Sequence, residues 1–293
     1  MNINLYDEKA IRISNALLNR VNFLNVDNTI SANKVTIPST DDFLIDLYIY
    51  RPKNIDRELP CMVYYHGGGF FLKGDALSPK ILSEYIKENS MVIVYVDYRL
   101  SIDFPYPTPV NDCYAGLNWV YNNYEFLNIK QDKIFVMGFS AGGALAAGVT
   151  LRARDNNLDI IKAQILICPV TDHRQVTDSV KNFVDTPNWT SKRNRHMWEL
   201  YLRDITGDVP YYASPLNAPD FKNLPPAYVE LSQFDPLHDE GLLYANKLKE
   251  SGIHVVLNDT KGTVHMSSIV LRAKKTMDNI KKMSEFIRES LNE

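Results

Sequence analysis

The sequence predicts an α/β fold, a mainly parallel sheet wrapped by helices, on three observations. Apolar runs of strand length alternate with helical segments through most of the chain, the pattern of parallel strands joined by crossover helices. Several runs, Met91-Val92-Ile93-Val94-Tyr95-Val96 above all, are continuously apolar, as strands covered on both faces should be. The 293 residues are 45% hydrophobic and 23% charged, enough for a sizeable core in one domain.

Taken in order, the first thirty residues read as amphipathic helix, with Ile11, Leu17, Leu18, Val21 and Leu24 near one face. Phe43 to Tyr50 has strand composition and ends at Arg51-Pro52. With no helix after it, this early β-run suggests an antiparallel edge hairpin. Leu59 to Tyr65 is a second run, broken by His66-Gly67-Gly68-Gly69. A short helix over Pro79 to Lys87 precedes the strand at Met91 to Val96. Beyond it come a helix from Val110 to Asn123, a strand from Lys133 to Gly138, a small-residue helix after Ser140 and a strand from Ala163 to Cys168. Ala227 to Leu231 and Val255 to Asn258 read as strands, with helices over Glu240 to Glu250 and from about Ser267. Thr171 to Pro215 breaks the alternation, being rich in aromatic and basic residues without a convincing strand. An insertion this long should carry its own structure and often forms a lid. The chain therefore reads as one domain, 1–293, with a cap.

A net charge of -3 argues against a strong electrostatic hold on nucleic acid or anionic lipid. Cys61, Cys113 and Cys168 lie far apart in apolar runs and read as inert core thiols, which suits a reducing compartment. No basic and apolar leader is visible at the N-terminus, and no apolar stretch has the length to cross a membrane. A soluble cytoplasmic protein without membrane insertion is the expectation. No His/Cys/Asp cluster has metal-ligand spacing, and no cofactor is expected.

Chemistry concentrates in four places. Gly138-Phe139-Ser140-Ala141-Gly142 is G-x-S-x-G between a strand and a helix. An abrupt strand-to-helix turn holds the serine strained and exposed to its base, and the flanking glycines remove Cβ atoms that would clash. Taken alone, the pentapeptide also fits a tight packing turn. The three glycines at 67–69 follow an apolar strand, where backbone N–H groups would face an oxyanion beside the nucleophile. His66 suits loop anchoring better than proton transfer. Asp235 stands after the strand that ends near Leu231, with Pro236 stiffening the turn, and His265 follows the later strand. That gives the order serine, acid, histidine. Asp239, one turn on, suits the first turn of a helix, where an acidic side chain favours the dipole.

These motifs, together with Asp97-Tyr98-Arg99-Leu100, Phe104-Pro105-Tyr106-Pro107 and Asp235-Pro236-Leu237-His238-Asp239-Glu240-Gly241, resemble the hormone-sensitive-lipase family of esterases. Ala213-Ser214-Pro215-Leu216 and Leu224-Pro225-Pro226-Ala227 resemble its bacterial members. The resemblance runs from about residue 35 to the C-terminus. It implies an α/β-hydrolase fold with an eight-stranded sheet and a triad of Ser140, Asp235 and His265. It also implies an oxyanion hole from the N–H groups of Gly68, Gly69 and Ala141, a cap from about 1–34 and 171–215, and a homodimer. Phe139 stands where the family usually has Asp, Val264-His265-Met266 replaces a more usual His-Gly-Phe ending, and Ser101-Ile102-Asp103 replaces Ala-Pro-Glu.

The expected activity is hydrolysis of short- to medium-chain carboxylic esters, with a small-molecule ester as partner. Phe70, Phe139, Trp189, Trp198 and Tyr201 are candidates to line the substrate pocket. An amidase or peptidase could use the same residues, although this sequence shows no propeller or extra substrate domain. A ligand receptor of the same fold would have lost the serine or the histidine, and both are here.

Overall fold

The sheet opens with a nine-residue strand, Ile30–Pro38, that the sequence reading did not expect. In the computed structural model, which describes residues 4–20, 22–74 and 78–292, β1 (Ile30–Pro38) pairs antiparallel with β2 (Leu44–Pro52). This pair is the antiparallel edge that the sequence suggests. The helical reading of the first thirty residues holds only for α1 (Glu8–Leu18). Asp7 caps it by accepting from the Lys9 and Ala10 N–H groups. Ile11 is buried, Leu17 and Leu24 are exposed, and Val21 lies outside the described residues. Residues 30–34, expected in the cap, are instead the first half of β1.

The remaining elements follow the predicted alternation. They are β3 (Leu59–Tyr65), α2 (Ser78–Asn89), β4 (Val92–Asp97), α3 (Thr108–Asn122), α4 (Tyr124–Leu127), β5 (Ile129–Phe139), α5 (Ala141–Asp155) and β6 (Ala163–Ile167). The 171–215 insertion carries α6 (Asp178–Asn182) and α7 (Ser191–Tyr201), the latter capped by Thr190. Then come β7 (Ala227–Phe234), α8 (His238–Glu250), β8 (Val255–Val264) and α9 (Lys274–Asn292).

The described residues form an eight-stranded sheet in the order β1-β2-β4-β3-β5-β6-β7-β8. It is parallel from β4 to β8, and β1 and β2 are the antiparallel edge. Side chains on each strand alternate between two cores. Cys61, Val63 and Tyr65 of β3 face a layer containing α1, α3, α5 and α8. Met62 and Tyr64 face the opposite layer, containing α2 and α9. This two-sided burial is why the central strands are continuously apolar.

The Asp97-Tyr98-Arg99 motif ties α3 to the β1–β2 turn. Arg99 bonds buried Asp112 of α3 and, by two 2.8 Å contacts, Asp41 in the β1–β2 turn. Its guanidinium also lies over Phe43 and Phe104. In the Ser101-Ile102-Asp103 loop, the Ser101 N–H donates to Phe70 O and Asp103 pairs with Arg12 of α1. The loop thus ties α1 to the segment that follows the three glycines. Among the described residues, no helix is long and apolar enough to cross a membrane.

Candidate active site

Parallel strands all deliver their following loops to one edge of a sheet, and α/β proteins place their sites there. Here the loops after β3, β5, β6, β7 and β8 meet at that edge. Between β5 and α5, Ser140 adopts φ 55° and ψ -118°, a region costly for any residue with a Cβ. Both neighbouring glycines are required by contact. A Cβ on Gly138 would lie 2.0 Å from Gly142 O, and one on Gly142 would lie 2.1 Å from Tyr65 O at the end of β3. The Ser140 N–H donates to Ile167 O of β6 at 2.8 Å. The turn is therefore wedged between two strands.

The structure brings Ser140, His265 and Asp235 together. His265 Nε2 lies 3.0 Å from Ser140 Oγ, and Nδ1 lies 2.6 Å from Asp235 Oδ2. A carboxylate only accepts, so Nδ1 carries the proton and Nε2 is left to accept from the serine hydroxyl. The other Asp235 oxygen accepts from the Leu237 N–H at 2.9 Å, which fixes the carboxylate plane. All three side chains are buried; Asp235 is 1% exposed and His265 3%.

Asp239 goes elsewhere. It lies in the first turn of α8, where Oδ2 accepts from the Ser179 N–H at 2.8 Å and Oδ1 lies 2.8 Å from His238 Nδ1. Partial burial works to raise its pKa, but the bonds to His238 and Ser179 hold it below the ordinary carboxylate value. Asp239 thus ties α8 to α6.

The glycine loop abuts the serine turn. A Cβ on Gly67 would meet Phe139 O at 3.1 Å and Ser140 Cβ at 3.6 Å. Gly68 and Gly69 have φ of +118° and +60°, where side chains are strained. The Leu72 N–H closes the loop by donating to Gly68 O at 2.8 Å. Ala141 begins α5, so its N–H belongs to the first turn, which lacks intrahelical acceptors. His66 anchors this loop: its Nδ1 lies 2.7 Å from Gly67 O, its carbonyl accepts from the Tyr98 hydroxyl, and its ring stacks on Tyr98 at 4.1 Å.

Of the pocket candidates, Trp189 is the one over the site. Its ring lies 5.8 Å from that of His265, and a Cβ on Gly69 would come within 3.0 Å of it. Its Nε1–H donates to Asn194 Oδ1 at 3.2 Å. Phe70 stacks on Tyr201 at 3.9 Å, with Trp198 packed beside both. These three belong to the buried core beneath α7. Phe139 requires a correction. Its side chain lies in the opposite core with Phe135 and Met137, packed on Tyr64, so it does not line the pocket. Period-two alternation along β5 dictates this.

Two residues near the site were missed by the sequence argument. Cys168, read as inert core, brings its Sγ within 4.8 Å of the Asp235 and His265 ligand atoms. It also lies 3.3 Å from Ser232 Oγ. Burial, followed by the Asp235 and Glu230 carboxylates, pushes this thiol well above its ordinary pKa, which keeps it un-ionised beside the acid. Its position at the end of β6 was a signal available in the sequence. Asn188, in the insertion, donates to His265 O at 3.2 Å, a contact no local pattern announces.

A strained serine turn, an aligned imidazole and carboxylate, and a glycine loop against the nucleophile define a hydrolase of nucleophile-elbow type. The chain belongs to a family of α/β-hydrolase fold, matched over residues 62–268, in keeping with the resemblance to hormone-sensitive-lipase esterases. It is 33% identical over 242 residues to an arylesterase of Saccharolobus solfataricus, covering 77% of this chain and 73% of that protein. It is 32% identical over 229 residues to a carboxylesterase of Mycobacterium tuberculosis, covering 75% and 70%. A solved bacterial heroin esterase superposes with a TM-score of 0.89 at 32% identity, over 99% of this chain and 94% of that one. Another curated relative is matched over 66% of its own length.

The contact geometry makes Gly142→Ala a severe change. Its Cβ meets rigid backbone, so the turn must move, at a cost of about 1–3 kcal/mol of stability together with most of the turnover. Gly252→Ala meets nothing within 4 Å, but its φ of +82° strains any side chain, so it should cost about 1 kcal/mol of stability and leave turnover intact. Melting temperature and ester turnover of the two variants check this.

Proposed function

We propose that this ester hydrolase cleaves short- to medium-chain carboxylic esters through a Ser140–His265–Asp235 triad and a covalent acyl-enzyme. The observation that carries the proposal is the unbroken chain of contacts from Asp235 Oδ2 through both nitrogens of His265 to Ser140 Oγ. Ser140 Oγ attacks the ester carbonyl while His265 Nε2 removes its proton, and Asp235 holds and stabilises the imidazolium that forms. The N–H groups of Gly68, Gly69 and Ala141 receive the oxyanion; one such donor is typically worth about 2.7–4 kcal/mol. His265 returns the proton to the departing alcohol. It then activates water to release the acid.

In this proposal α1 and the insertion bearing α6 and α7 act together as the cap. Tyr6, before α1, packs on His196 of α7, and Lys192 lies over the Tyr6 ring. The crowding of Trp189, Met197 and Phe71 above Gly69 supports a short acyl site. Acetyl to hexanoyl p-nitrophenyl esters should be cleaved faster than palmitoyl esters. Faster palmitoyl than butyryl turnover would contradict this.

The acid is tested by a pair of variants. Asp235→Asn removes the acceptor that fixes the His265 tautomer, and kcat should fall at least about a hundredfold. Asp239→Asn should lose much less turnover, and mainly melting temperature, by loosening α6 from α8. A crippled Asp239→Asn beside a near-normal Asp235→Asn would refute the assignment.

A further inference from the structure

Five residues before Asp235, strand β7 carries Glu230, a carboxylate only 3% exposed. Burial raises its pKa, opposed by the hydrogen bonds it accepts. A carboxylate buried in a protein core is expensive unless every oxygen is satisfied. Here the bonds come from three separate pieces of chain. The Tyr228 hydroxyl of its own strand donates to Oε2 at 3.3 Å, and Asn258 Nδ2 of β8 to the same oxygen at 3.4 Å. Oε1 accepts from the hydroxyl of Ser268. Ser268 lies in a one-turn 3-10 helix, Ser267–Ile269, that begins two residues after His265.

Other contacts hold the same segment: Asn188 of the insertion donates to His265 O, and the Met266 backbone bonds the Cys168 thiol. Met266 is left-handed, with φ 63°, so the backbone reverses directly after the histidine. The Val264 N–H donates to Ser267 Oγ, and Thr276 Oγ1 to Ser267 O. The Val264 bond ties the turn to the end of β8, and the Thr276 bond joins it to α9. The Glu230–Ser268 bond ties it to β7, the strand that leads to Asp235, and the Cys168 N–H just after β6 donates to the Glu230 carbonyl at 2.8 Å.

We propose that Glu230 and Ser268 are positioning residues for His265: the carboxylate grips the loop from within the sheet and keeps the imidazole in line between Asp235 and Ser140. An aligned proton transfer tolerates little displacement. A shift of about 1 Å caused by a distant substitution can cost on the order of a hundredfold in rate. Glu230 does not touch the reacting atoms. It acts through the loop that bears the base, and it should therefore influence the chemical step rather than substrate affinity.

The inference rests on the triad proposed above, and its test separates the two. Ser268→Ala, Ser268→Thr and Glu230→Gln are compared with the parent enzyme for kcat and KM on a short p-nitrophenyl ester. Melting temperature is recorded, and the folded active fraction is counted with a fluorophosphonate. Ser268→Ala should lower kcat per active site about tenfold with KM within about twofold, and Ser268→Thr, which keeps the hydroxyl, should recover most of it. Glu230→Gln, which keeps one acceptor oxygen, should fall between. The double variant should be no slower than the slower single, since both changes cut one link. A Ser268→Ala enzyme that melts lower but turns over normally per active site overturns the proposal, as does failure of threonine to recover the rate. A parent enzyme whose turnover survives Ser140→Ala would remove the triad itself, and this inference with it.

Discussion

The turn at Ser140 is the constraint on which the rest of the site depends. A strand arriving from one side of the sheet edge must become a helix within one residue, and the only space for that reversal lies against the carbonyl end of β3. Gly138 and Gly142 exist to let backbone touch backbone there, at distances no side chain permits. Once the turn is wedged, three features follow from geometry alone. The serine hydroxyl is lifted above the sheet, the first N–H groups of α5 face the same space, and the glycine loop after β3 is pressed against the nucleophile. Its strained φ is a stored cost, offset by the packing of the small-residue helix α5 against β5 and β6.

Around that fixed point the other groups are held by contacts that leave little freedom. Asp235 divides its oxygens between His265 and the Leu237 N–H, so neither imidazole nor carboxylate can rotate independently. Above them, Trp189 bridges the glycine loop and the histidine, and Ser140 is only 3% exposed. Charge developing on the serine and on the substrate oxygen would therefore arise where water is scarce and fixed N–H dipoles count for most. The insertion thus contributes to the electrostatics of the site as well as to its shape.

Most of this was legible in the sequence because buried parallel strands must be continuously apolar and because a sharp turn demands glycines at set positions. The strand β1 was not. Ile30–Pro38 lies at the sheet edge with burial confined largely to its ends, so it shows neither an apolar run nor clean alternation. Asp235 could be separated from Asp239 by its distance from the strand end. The aromatic residues could not be sorted: Phe70, Trp198 and Tyr201 pack on one another, while Trp189 alone reaches His265. Phe139 was sortable in principle, since it shares a face of β5 with Phe135 and Met137. The proximity of Asn188 and Glu230 to the His265 loop depends on tertiary neighbours that no local pattern encodes.

The central claim is that Ser140 is an activated nucleophile aligned by His265 and Asp235. Fluorophosphonate labelling followed by peptide mass mapping tests it most directly. The account predicts one adduct per chain, on Ser140, formed with loss of ester turnover, slowed greatly in Asp235→Asn and absent in Ser140→Ala. Stoichiometric labelling of the Ser140→Ala protein, or an adduct on another serine that tracks the loss of turnover, would contradict it.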